Sequence, residues 1–217
     1  MSILTDSKQI INAAIQAALP DAAVEKALGQ LPEYSGKLIL IAVGKAAWQM
    51  AMAAHQQLRE RISGGVVITK YQHSKGDIGN LVVYEAGHPV PDGNSFRATQ
   101  AAINAVTGLS KSDLVLFLLS GGGSALFEKP LIAPEELADI TRQLLACGAD
   151  ITEINTLRKR FSAVKGGKFA KLCAPAHVFS VVLSDILGDP LDAIASGPTY
   201  PDSTTAEQAI SIAEKYN

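Results

Sequence analysis

The chain has 217 residues, of which 47% are hydrophobic and 18% charged, the balance of a compact globular protein with a core large enough to need neither disulfides nor metals. Nineteen basic and 21 acidic residues leave a net charge of −2, so no basic excess recruits nucleic acid or an anionic membrane, and any anion site must be local. Two cysteines, Cys147 and Cys173, fit neither a disulfide framework nor a metal-ligand spacing, and the default is buried thiols in a reducing compartment.

The first 20 residues do not read as a signal peptide. Lys8 is their single basic residue, and Ile10, Ile11, Ala14, Ile15, Ala18 and Leu19 recur at helical spacing. No stretch reaches the roughly 18 unbroken apolar residues of a membrane span. The expectation is a soluble, cytoplasmic protein.

The periodicity predicts an amphipathic helix over 6–19 with Asp6 as N-cap, ended by Pro20, and a short second helix to about Leu28. Residues 1–36 are therefore read as an N-terminal helical segment, packing on the main domain or on an absent second domain. The main domain is expected over 37–217. Lys37–Val43 is an apolar strand that Gly44-Lys45-Ala46-Ala47 turns into a helix running to about Arg61. Gly64-Gly65 resets the chain before a strand at Val66–Thr69. A third strand, Leu81–Glu85, ends in Gly87-His88-Pro89-Val90-Pro91-Asp92, where Asp92 can cap a helix to about Gly108. Leu114–Leu119 is a continuous apolar run, read as a strand buried on both faces. It breaks into Ser120-Gly121-Gly122-Gly123-Ser124. Pro134-Glu135-Glu136 starts a helix to about Cys147, and further helical patterns cover 150–161 and 167–173. His177–Leu183 is a fifth strand, followed by a polar loop from Ser184 to Thr199 and a closing helix from about Thr205.

Short apolar strands alternating with helices predict an α/β fold: a Rossmann-like three-layer domain with a mostly parallel sheet and helices on both faces. In such sheets ligands bind beyond the carboxyl ends of the strands. Gly44-Lys45, Gly87-His88-Pro89, Ser120–Ser124 and Ser184-Asp185 each follow a strand and so gather at that edge.

Three consecutive glycines admit two readings, a turn that needs positive φ or a cradle of N–H groups for an anion. The convergence of four clusters at one edge favours the cradle, with Ser120, Gly121, Gly122, Gly123 and Ser124 as its residues. Gly44 and Lys45 suit phosphate or a developing negative charge. The alternative for Lys45 is a side chain running out to solvent. No Walker loop is present, because Ala46 follows Gly44-Lys45, and no dinucleotide fingerprint, because Leu126 stands where its third glycine would be. A GxSxG elbow is also lacking. Asp185 and Asp189 can hold Mg²⁺ through carboxylates plus substrate phosphates, against the plainer reading of caps or Asx-turns. Asp192 is assigned a structural role. If helical, Asn155, Arg158, Ser162 and Lys165 share a face, and Arg158 can clamp a carboxylate or phosphate. His88 reaches a ligand or is a hydrogen-bonded structural histidine. His55, His73 and His177 are assigned nothing.

Taken in order, Val43-Gly44-Lys45-Ala46, Gly87–Asp92, Leu119–Leu126, Asn155-x-x-Arg158-Lys159-x-x-Ser162-x-x-Lys165-Gly166-Gly167, and Ser184-Asp185-x-x-Gly188-Asp189-Pro190 through Ser196-Gly197-Pro198-Thr199 resemble the glycerate 2-kinase family of the MOFRL type, some members of which are labelled hydroxypyruvate reductases. The resemblance covers about residue 6 to the end. It implies phosphorylation of the 2-hydroxyl of D-glycerate with ATP and Mg²⁺, a cleft between two α/β domains, and a catalytic role for Lys45. Members run to about twice this length. A second domain carrying the MOFRL segment and a further arginine proposed as catalytic would then be absent from these 217 residues, and the surface meant for it would favour self-association into a homo-oligomer. Arg160 stands where many members carry histidine. Two other readings stand beside the kinase: a reductase of hydroxypyruvate or tartronate semialdehyde, which the missing fingerprint disfavours, and a non-catalytic domain that binds a small anion.

Overall fold

The computed structural model describes residues 2–216. Five strands form one sheet in the order β3-β2-β1-β4-β5, and all four pairings are parallel. They are β1 (Leu38–Val43), β2 (Ile62–Lys70), β3 (Leu81–Ala86), β4 (Leu114–Leu119) and β5 (His177–Val182). The central strands β1 and β4 are buried at every residue, which is why their sequences run apolar without alternation. β5, at an edge, is nowhere fully buried.

The two faces of the sheet carry separate cores. On one face Ile39, Ile41, Val43, Val115, Phe117 and Leu119 meet Ala98, Ala102 and Val106 of α4 (Gly93–Val106), together with Phe127, Phe169 and Cys173. Phe117, Phe127 and Phe169 pack as a trio with ring centroids 5.0–5.8 Å apart, and each buried ring contributes about 1.5–3 kcal/mol. On the other face Leu38, Leu40, Leu114 and Leu116 meet α3 (Ala47–Leu58) and Val24 and Leu28 of α2 (Asp21–Leu28). This is the three-layer arrangement expected from the alternating pattern, with the sheet entirely parallel.

The first helix differs. α1 (Ile3–Ala18) has Ser2 rather than Asp6 as N-cap and buries none of its residues. Ile3, Leu4, Ile10, Ile11 and Ile15 are all more than half exposed. The 1–36 segment thus divides: α2 belongs to the core of the main domain, and α1 stands apart from it. A second difference lies in β2. Gly64-Gly65 does not interrupt the chain but pairs within the strand, opposite Ile39 and Leu40.

Beyond β4 come the one-turn helix α5 (Gly123–Leu126), then α6 (Pro134–Ala146), α7 (Ile151–Arg160), α8 (Lys168–Cys173) and, after β5, α9 (Ala206–Lys215). α6, α7 and α9 share a small core of Leu144, Ile154, Leu157 and Ala209. Capping boxes at Asp92, Asp150 and Thr205 satisfy free N–H groups at the starts of α4, α7 and α9. No helix among the described residues is long and apolar enough to cross a membrane.

Candidate functional site

The sheet order changes direction between β1 and β4. A doubly wound sheet opens a crevice at that point, outside the carboxyl ends of those strands. Gly44-Lys45 leaves β1 there and Ser120–Gly123 leaves β4. The two turns are tied to each other. The Lys45 N–H donates to the Gly121 carbonyl at 2.9 Å, and the Ala46 N–H donates to Ser120 Oγ at 3.1 Å. Ser120 is 2% exposed, and its backbone N–H donates to Val43 O at 2.9 Å. Its hydroxyl is therefore occupied in joining the turns, which corrects the expectation that it faces a ligand. Gly44, at φ 122°, has Ser120 where a Cβ would stand.

Gly122 is the centre of the cluster. It is left-handed, at φ 87° and ψ −4°, and a Cβ there would lie 3.0–3.1 Å from the His88 ring and 3.2 Å from Lys45 Cε. Only glycine leaves room for all three. On the other side, Gly121 packs against the carboxylate of Asp185. Lys45, His88, the glycine backbone and Asp185 are thus contiguous, although they come from the ends of four different strands. Lys45 is exposed and, among the described residues, forms no ion pair. His88 is half-buried. Burial holds its imidazole below the usual histidine range, and the positive charges of Lys45, Lys70 and His73 push it the same way. It is neutral at pH 7.

The basic residues after β4 are placed differently. Lys165 is fully buried, and its ammonium donates to Ser124 O at 2.9 Å and Phe127 O at 3.1 Å. Arg158 donates to the same Ser124 carbonyl at 3.1 Å. Both pair with buried Glu128, at 3.4 Å and 3.6 Å. They hold the C-terminal end of α5 from beneath, where cations suit the helix dipole. This corrects the expected role of Arg158 and Lys165 as clamps on a ligand. It also corrects their shared helical face, since α7 ends at Arg160 and Lys165 follows in a turn. Burial pulls the Lys165 ammonium down to about 8, against the pull of Glu128. Asn155 accepts from Ser196 Oγ at 3.2 Å, and Ser196 Oγ lies 3.3 Å from Ser124 Oγ, so Asn155 and Ser124 are joined through Ser196.

Glu128 was not singled out by sequence, and Ser196 only as the first residue of the Ser196-Gly197-Pro198-Thr199 turn. Ser196 is fully buried and left-handed at φ 61°, beside Ala195 at φ 50°, a strained pair of a kind that clusters at functional sites. The Ser-Gly-Pro sequence was its visible signal. Gly197, Pro198 and Thr199 line a groove of about 270 Å³ against β5, and Lys45, His88 and Asp185 are not among its lining residues. The catalytic candidates therefore stand on an open edge rather than in that groove. Asp192 pairs with Lys159 at 4.0 Å, in keeping with its structural assignment.

A Mg²⁺ ion is implied by the family resemblance. The donors present fit it in a specific way. Among the described residues no three His, Cys, Asp or Glu side chains gather to hold a metal by themselves. Asp185, exposed and against the glycine loop, offers the kind of single carboxylate with which Mg²⁺ combines phosphate oxygens and water. Asp189 is exposed and left-handed at φ 50°, its N–H donating to Ile186 O at 3.2 Å.

A family model described as a domain of unknown function, DUF4147, matches residues 6–217. The chain belongs to this family. A D-glycerate 2-kinase from Thermotoga maritima is 52% identical to this DUF4147 chain over 210 residues, covering 96% of the chain and 50% of that protein. A glycerate 2-kinase from Pyrococcus horikoshii is 42% identical over 229 residues, covering all of the chain and 51% of that protein. A relative from Agrobacterium vitis, 38% identical over 96% of the chain, bears a name of the hydroxypyruvate reductase type. The crystal structure of a glycerate kinase from Thermotoga maritima superimposes with a TM-score of 0.90 at 52% identity, over 96% of this chain and 50% of that one. The DUF4147 chain thus spans about half the length of the curated relatives it matches.

Proposed function

We propose that this chain is the Lys45-bearing half of an ATP-dependent glycerate 2-kinase, which transfers the terminal phosphate of ATP to the 2-hydroxyl of D-glycerate. The observation that carries the reading is the contact of Lys45 and His88 with Gly122 at the switch point of the sheet. Phosphoryl transfer asks little covalent chemistry of a protein and much positioning and charge neutralisation. Lys45 supplies a fixed positive charge to the phosphate oxygens. Gly121 and Gly122 let those oxygens approach the backbone. His88, neutral at pH 7, offers a hydrogen bond without a second full charge. Asp185 is the residue that would hold Mg²⁺, which when bound draws negative charge from the phosphates. The remaining groups of a complete site belong, on this reading, to the half of the relatives that this chain does not match.

The test is an assay with ATP, Mg²⁺ and D-glycerate, run on this chain and on a protein extended to the full length of the relatives, with the product identified by NMR. The expected product is 2-phosphoglycerate. Lys45→Ala in the extended protein should lower turnover by about a hundredfold or more with the fold intact. Near-wild-type turnover would remove Lys45 from the chemistry. The reductase reading predicts loss of NADH absorbance with hydroxypyruvate. The loop argues against it, since Leu126 occupies the place of the third glycine of a dinucleotide site.

A further inference from the structure

The end of β2 and the turn after it carry two basic residues near the site just described, both of which add positive charge at His88. Lys70 is the last residue of β2 and pairs with Ala86, two residues before His88. His73 lies three residues further on, exposed, with its Nδ1 3.0 Å from the carbonyl oxygen of Lys45. A carbonyl accepts only, so Nδ1 carries the proton, and Nε2 is left to bind something else. Lys45 and Lys70 form no ion pair among the described residues. Of the carboxylates on the neighbouring segments, Asp92 accepts from the Tyr71 hydroxyl at 2.6 Å, Glu85 accepts from the Ser74 N–H at 2.9 Å, and Asp77 is exposed. The edge over β1–β3 therefore holds two ammonium groups that no carboxylate pairs with directly among the described residues, while Asp185 lies across the glycine loop on the β5 side.

We propose that His73 is both the positioning residue for Lys45 and, with Lys70, a further anion-binding group, so that the edge over β1–β3 takes a phosphoryl chain and not the carboxylate of the second substrate. This rests on the kinase reading for the identity of the substrates, but the subsite itself stands on the two lysines and two histidines. Two ammonium groups without an ion pair at one edge carry more charge than a single carboxylate balances, and a polyphosphate supplies the rest. His73 holds the Lys45 turn through its carbonyl, and in the imidazolium form it donates from Nδ1 to that carbonyl and from Nε2 to the same anion.

The test uses this chain with pyrophosphate, inorganic phosphate and D-glycerate as probes, in calorimetry and in ¹⁵N imidazole NMR. Pyrophosphate should move the His73 Nε2 resonance, a readout that needs no variant. His73→Ala should weaken pyrophosphate about tenfold and leave D-glycerate unchanged. His73→Asn keeps a donor in place of Nδ1 and should restore part of the loss, whereas Lys70→Met should cost a similar factor with no rescue. If Lys45→Ala weakens pyrophosphate but the His73 and Lys70 variants do not, the inference fails and the kinase reading survives. Competition of D-glycerate for the same site would overturn the division of the edge, and so would a wild-type chain that binds no pyrophosphate. Binding that depends on His73, in a protein whose extended form does not phosphorylate glycerate, would keep the subsite and discard the kinase.

Discussion

Two sets of basic side chains lie close to the glycine loop, and the fold treats them in opposite ways. Beneath α5, Lys165 and Arg158 are spent on the carbonyls of Ser124 and Phe127 and on Glu128. Nearby, Lys159 and Arg160 are spent on Asp202, at 3.2 Å and 3.1 Å. In front of the loop, Lys45 is exposed with no ion pair among the described residues. A buried cation has to be paired, because its desolvation is otherwise uncompensated. An exposed one is held by water and is free to exchange that water for a ligand. The rear set is scaffold, and the front set is available for chemistry.

The contrast is broken most directly at Lys165. Lys165→Ala leaves the fully buried Glu128 carboxylate with Arg158 at 3.6 Å as its remaining ion-pair partner, and should cost about 3 kcal/mol in urea unfolding. Replacing both partners, Lys165→Met with Glu128→Leu, removes the buried carboxylate as well and should recover part of that loss, with Arg158 keeping the Ser124 carbonyl. Lys45→Ala should change stability by no more than about 0.5 kcal/mol. Equal losses at the two lysines would dissolve the distinction.

The same pair sets a pH dependence. Lys165 titrates at about 8 in the folded chain and at 10.5 as a free side chain, so between those values the unfolded state binds more protons and stability rises with pH. The full interval corresponds to about 3 kcal/mol. It should appear as the difference between wild-type and Lys165→Met unfolding curves, widening in favour of wild type from pH 8 upward. A difference that stays flat would mean that Lys165 is not desolvated.

Gly122 offers a smaller and more local perturbation. Gly122→Ala should cost about 1–2 kcal/mol for the left-handed backbone, and should also weaken anion binding because its Cβ intrudes on His88 and Lys45. Gly148→Ala is the control. It too is left-handed, at φ 76°, but no atom stands within 4 Å of its Cβ. It should cost comparable stability and leave binding alone.

The strands were legible because a buried parallel strand is an uninterrupted apolar run of fixed length, and Leu38–Val43 and Leu114–Leu119 are such runs. The strand-end clusters were legible for a related reason, since glycine and histidine interrupt those runs where the fold needs close approach. What periodicity does not carry is the direction in which a basic residue points. The spacing of Asn155, Arg158 and Lys165 describes a helix face, but α7 stops at Arg160, and Glu128 draws Arg158 and Lys165 inward from a distant part of the chain. Glu128 gives no local signal, being one acid after a short apolar stretch. His73 was passed over for the same reason. Its partner is a backbone carbonyl 28 residues away, and no side-chain pattern encodes that contact.

His88 tests the front set with the smallest effect and the most direct readout. In the free chain its imidazole is held below 6.5, first by burial and then by Lys45, Lys70 and His73. The sign of the linkage follows: the unfolded state binds a proton that the folded state refuses, so this group's contribution to stability is present above pH 6.5 and lost as pH falls through the folded value. A phosphate placed between His88 and Lys45 cancels the positive field and favours the imidazolium, so the NMR titration of His88 should move upward on adding pyrophosphate. Lys45→Met should move it upward without any ligand, by removing one of the charges that depress it, and should blunt the response to pyrophosphate. A midpoint unmoved by both would place His88 outside the field of Lys45, and the open edge would then lack the charge coupling that sets it apart from the paired cluster behind the loop.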